Sequence, residues 1–227
     1  MTEGDLERSA FEFASELSET LERVLGYSCT FTAQSYGERL VVRPEDSKGV
    51  PLFVQKKQRA ALDLFLRCQL DHVDRFLAVE ESQFSLLTGL SRDPLLRLHF
   101  RRSPKSKPSA HWHVHAERGA FSALLTEAGV SNPHAMADLH LPVGGSRFRP
   151  CLEDFLEFLI DEVGIDRCEH ARPAIREGRA RWRLKQSAAT VRDAPSQAAE
   201  VLRDLGYSVT DPPSGAAPTS TRMMQQP

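Results

Sequence analysis

His111-Trp112-His113-Val114-His115 alternates imidazoles with apolar side chains. In an extended chain successive side chains point to opposite faces. The three histidines therefore share one face, each roughly 7 Å from the next, and Trp112, Val114 and Ala116 take the other. The stretch 95–101 has the same polarity: Leu96, Leu98 and Phe100 lie on one side, Arg97, His99 and Arg101 on the other. Pairing the two stretches through the loop 102–109 makes their apolar faces coincide, which is the register that burial favours. One side of the resulting hairpin then carries His99, His111, His113 and His115 beside Arg97 and Arg101.

Three readings suit such a face. Guanidinium and imidazolium groups donate to phosphate oxygens, and Lys105 and Lys107 in the connecting loop add charge. A neutral imidazole can also act as general base or nucleophile near pH 7. This reading gives His111, His113, His115 and His99 the catalytic roles and Arg97, Arg101, Lys105 and Lys107 the phosphate. Metal ligation is the second chemistry, since imidazole is a common ligand. Two neighbouring arginines repel a cation, and no carboxylate follows at strand spacing until Glu117 on the other face. No metal ligand is assigned on this basis, and no cofactor is specified. The third reading is a polar sheet face whose histidines are incidental.

The string HWHVHAE resembles the signature of the histidine-triad hydrolases, in which three histidines alternate with apolar residues. The resemblance implies a nucleotide α-phosphate as target, with His113 as nucleophile and His111 and His115 beside it. It spans seven residues of 227, and Glu117 stands where the signature has an apolar residue.

Other segments carry less. Gly144-Gly145 with Arg147 and Arg149 leads into a helix, and such a turn can hold an anion. Alternatively, its arginines meet Glu153 and Asp154. Arg172, Arg176, Arg179 and Arg183 recur at helical steps and form a positive ridge in the basic stretch Arg172 to Lys185. That ridge fits a nucleic-acid backbone or a protein partner. It also fits docking against the acidic segments 1–25 and 151–170, which hold seven acids each. Cys29, Cys68, Cys151 and Cys168 form no CxxC pair, so neither a zinc ribbon nor a thioredoxin-type motif is present.

The elements that must position these groups follow from periodicity. Leu6, Ala10, Phe13, Leu17, Leu21 and Val24 make one apolar helical stripe, which Gly26 can end. Residues 29–35 and 38–44 look like a hairpin, and 51–55 and 61–71 like further strands. Residues 73–88 fit strand or helix equally, and 95–101 and 110–116 return to alternation. Helical patterns then cover 121–128, 151–163 and 172–205, with a break at Pro195. The expected fold is α+β: an N-terminal helix, an antiparallel meander sheet, and C-terminal helices packed on the sheet. The expected organisation is one domain over 1–170, a basic helical extension over 171–206 and a disordered tail over 207–227.

The chain holds 29 basic and 31 acidic residues, a net charge of −2. That balance gives no reason to expect a wholly basic nucleic-acid coater. No apolar run approaches the roughly 20 residues that cross a bilayer, and the acidic N-terminus lacks a signal pattern. The expectation is a cytoplasmic protein with reduced cysteines and no membrane contact. Its expected function is to bind or process a phosphate-bearing ligand, RNA or nucleotide, through the histidine face, as a toxin-like ribonuclease would. The competing expectation is a non-catalytic interaction module that uses the basic helix.

Overall fold

The computed structural model describes residues 3–37, 39–71, 75–89, 94–102, 109–114, 119–134, 149–215 and 217–219. Helix α1 runs Glu3–Leu25. Its stripe of Leu6, Ala10, Phe13, Leu17, Leu21 and Val24 is buried, and it ends at Gly26, whose φ of 84° suits a residue without a Cβ.

Among the described residues, seven strands follow: β1 Phe31–Tyr36, β2 Arg39–Pro44, β3 Val50–Val54, β4 Lys57–Leu70, β5 Leu77–Thr88, β6 Leu96–Arg101 and β7 Ala110–Val114. All pairings are antiparallel, in the order β1-β2-β4-β5-β6-β7. The meander has one side branch. At fourteen residues β4 is long enough to hold two partners on one edge. It pairs with β2 at Leu40↔Cys68 and with β3 at Val50↔Leu62. Gly49 leads into β3 with a φ of 82°, and a Cβ there would stand 2.7 Å from the Leu62 carbonyl oxygen. Only glycine fits that approach. Residues 73–88, open between strand and helix from their pattern, contribute β5.

Leu62, Leu64, Leu66, Cys68, Phe84, Leu86, Leu96 and Leu98 form the buried face of the sheet. Among the described residues, helices α2 Gly119–Glu127, α3 Leu152–Asp161, α4 Ala171–Asp193 and α5 Pro195–Asp204 follow the strands. Helix α3 covers part of this face. Phe155, which is fully buried, lies 6.0 Å from Phe84 and stacks on Trp112 at 5.9 Å between ring centroids. Its first turn is fixed by the Cys151 amide, which donates to the Asp154 carboxylate at 2.9 Å.

The first half of α4 docks on α3 by charge. Arg172 pairs with Glu157 and Asp161, and Arg179 with Asp154 and Glu157. Gly178 faces Glu153 so closely that a Cβ would collide with the carboxylate. The glycine that weakens the helix by propensity thus permits its close packing. Contacts divide the chain into two units, 1–179 and 180–227. Among the described residues, no helix is long and apolar enough to cross a membrane.

Candidate functional site

The outer face of β4–β7 is a grid of polar side chains set by register. Along one row stand Arg67, Glu81 and Arg101; along the next, Phe65, Gln83, His99 and His111; along the third, Asp63, Ser85, Arg97 and His113. Alternation sends these outward because their neighbours Leu64, Leu66, Phe84, Leu96 and Leu98 are buried on the other side.

Three imidazoles converge on this face. His99 and His111 are direct cross-strand neighbours with ring centroids 5.0 Å apart. His111 and His113 lie 4.9 Å apart, with their Nε2 atoms at 3.1 Å. His99 and His113 lie 6.2 Å apart. One nitrogen of each ring falls within 4.8 Å of the others, and all three residues are half-buried. The sequence-derived pairing holds over Leu96–Phe100 and Ala110–Val114.

Beneath the cluster lies Glu81, whose side chain is only 6% exposed and therefore needs its charge paired. It receives Arg67 at 2.8 Å, Arg101 at 2.9 Å and His99 Nε2 at 3.0 Å. Burial by itself would raise its pKa. The hydrogen bonds from His99 and Arg101, with the Arg67 charge, outweigh burial and hold the carboxyl below its usual range. Burial pushes the His99 pKa down despite Glu81, which favours a neutral ring near pH 7. Arg97 reaches Ser85 Oγ at 3.3 Å, and its charge opposes the upward shift that burial gives Asp63.

The structure thus brings His99, His111, His113, Arg97 and Arg101 to one face, with Arg101 engaged by Glu81. His115, Lys105 and Lys107 lie outside the described residues, as do Gly144, Gly145 and Arg147. Arg149 belongs elsewhere: its guanidinium sits 3.7 Å above the Phe100 ring and donates to Ser82 Oγ at 3.4 Å, on the core side of the sheet. Asp154, the acid it was expected to meet, pairs instead with Arg179. Sequence reasoning missed Glu81, Arg67 and Ser85. The run Glu80-Glu81-Ser82-Gln83 is polar on both faces and hides the alternation that would have found them. A register shift between Arg67 and Cys68 disturbs the pattern further.

All four cysteines are free. Burial pushes the Cys29 thiol up to about 11 and the Cys68 thiol up to about 12, so neither is a nucleophile near neutral pH. A surface hollow around Lys48, Gln58, Arg59 and Thr88 contains no histidine. No family, curated protein or solved structure matches this chain.

Proposed function

We propose that the polar face of β4–β7 binds a phosphate-bearing ligand, a nucleotide or RNA, and that the histidines process it by moving protons at the phosphate ester. The observation that carries this reading is the convergence of His99, His111 and His113 beside Arg97 on a rigid strand pair. Arg97 and Arg101 supply guanidinium donors for phosphate oxygens, and Lys105 and Lys107 extend the positive charge. Arg101 already serves Glu81, so Arg97 is the principal phosphate contact and Arg101 the second. A neutral imidazole next to a second ring can take a proton from a ribose hydroxyl while its neighbour returns one to the leaving oxygen. A ribonuclease-like cleavage needs no more than these two roles. Free thiols suit a cytoplasmic setting.

The interaction-module reading draws on the basic helix. Two of its four ridge arginines, Arg172 and Arg179, are already committed to α3, which leaves that reading the weaker of the two.

The test is equilibrium binding and turnover with ADP and a short oligoribonucleotide on the full chain. His113→Ala should abolish turnover, and Arg97→Ala should weaken binding, while circular dichroism stays that of the wild type. Turnover unchanged in His113→Ala would remove the catalytic claim. Binding unchanged in Arg97→Ala would remove the phosphate claim.

A further inference from the structure

We infer that His99, His111 and His113 form a binding site for one divalent zinc ion, with Glu81 as the residue that orients His99. The inference goes beyond the phosphate reading: a ring nitrogen that binds zinc no longer moves protons, so the ion would replace the proton-transfer roles at this cluster, and its argument needs no phosphate.

Zinc bound by histidines sits about 2.0–2.1 Å from each nitrogen in a tetrahedral arrangement, which places ligand nitrogens about 3.4 Å apart. His111 and His113 already bring their Nε2 atoms to 3.1 Å. One ring nitrogen each of His99, His111 and His113 lies within 4.8 Å of the others, a spread that turning the rings about their side-chain torsions can narrow. Register makes the spacing rigid, because His99 faces His111 and Arg97 faces His113 across the β6–β7 ladder. On metal binding, the two Nε2 atoms exchange their shared proton for the ion, and that proton passes to the Nδ1 side of its ring or to solvent.

Glu81 is the independent observation. Metal-binding histidines characteristically donate their other ring N–H to a carboxylate, which fixes the tautomer. His99 Nε2 meets Glu81 Oε1 at 3.0 Å, so Nε2 carries the proton and Nδ1 the lone pair. Glu81 is held in turn by Arg67 and Arg101. The carboxylate that the histidine strands lack within their own sequence is supplied by the adjacent strand. Its charge also offsets part of the repulsion that the arginines impose on a cation. Three imidazoles are the ligand complement of one class of catalytic zinc site. A phosphate oxygen in the remaining position would have Arg97 beside it.

The full chain, stripped of metal and kept in phosphate-free buffer, is titrated with zinc chloride against a chromogenic chelator. One zinc per chain is expected. His111→Ala and His113→Ala should each abolish competition with the chelator, and Glu81→Gln should weaken binding by about 10–100-fold. His134→Ala, at an exposed histidine outside the cluster, should change nothing. Failure of the wild type to take up zinc would overturn the inference, as would binding unchanged in the His111→Ala/His113→Ala double variant. Should a variant lose its circular dichroism spectrum, cobalt added to the wild type decides: an intense visible band of tetrahedral cobalt supports the site, and a weak octahedral spectrum removes it. Zinc uptake without ADP or RNA binding would leave this inference standing and the phosphate reading fallen. Ligand binding by a chain that takes up no zinc would do the reverse.

Discussion

Glu81 organises the polar face because a carboxylate that is only 6% exposed must find its partners within the protein. It draws Arg67, Arg101 and His99 to itself and so fixes the position of one of the three imidazoles. A second buried carboxyl, Glu153 on α3, behaves in the opposite sense. Burial raises its pKa, against the opposing hydrogen bonds from the Cys151 thiol and the Glu153 amide. A folded-state pKa above the unfolded one means that the neutral form is preferred in the fold. Its stabilising effect is complete below the unfolded value of about 4.3 and is lost as pH rises through the folded value. Glu153→Gln keeps the neutral form at every pH. The variant should therefore melt above the wild type at pH 7, and the difference should shrink as the pH is lowered toward 4. A melting series that shows the gain growing toward acid would contradict this assignment.

The strands that carry the histidines were legible because each side chain on one face of β6 and β7 has an apolar neighbour to contrast with it. Trp112 between His111 and His113 is the clearest case: its indole stacks on Phe155 while the imidazoles stand opposite. Strand β5 was not legible, because Glu81 and Ser82 are polar whether they face solvent or core. Ser82, on the core side, is 2% exposed and accepts from Arg149. The basic ridge of α4 was legible as a ridge, and its docking against acidic helices was one of the readings it allowed. The structure shows that docking in Arg172 and Arg179 on α3. Arg179 and Asp154 have side chains only 15% and 9% exposed, so their pair resembles a buried one. Arg179→Ala leaves Asp154 with the Cys151 amide but without its charge partner, and removing one member of such a pair costs about 3–5 kcal/mol. A urea midpoint that falls accordingly, with an unchanged slope, is the expected result. A midpoint within error of the wild type would contradict the buried-pair reading of Arg179 and Asp154.

Over the whole chain, a net charge of −2 conceals strong local charges that the fold brings together. The acids of α3 meet the arginines of α4, and Arg23 of α1 meets Glu177 at 2.7 Å. The outer face of the sheet keeps Arg67, Arg97 and Arg101 around one paired carboxylate and three histidines. The α+β class was readable from the succession of one helix, alternating strands and later helices. The side branch of β3 was not, since nothing in the composition of β4 says that fourteen residues will hold two partners on one edge.

The central claim is that His99, His111 and His113 act together on a phosphate-bearing ligand. Long-range proton–nitrogen spectra of the histidine rings, recorded while ADP is titrated into the full chain, test it most directly. The account predicts that the resonances of His99, His111 and His113 move together and saturate along one binding curve, while those of His134 and His170 stay fixed. Three cluster rings that remain stationary while ADP binds elsewhere, or that shift only as His134 and His170 do, would contradict it.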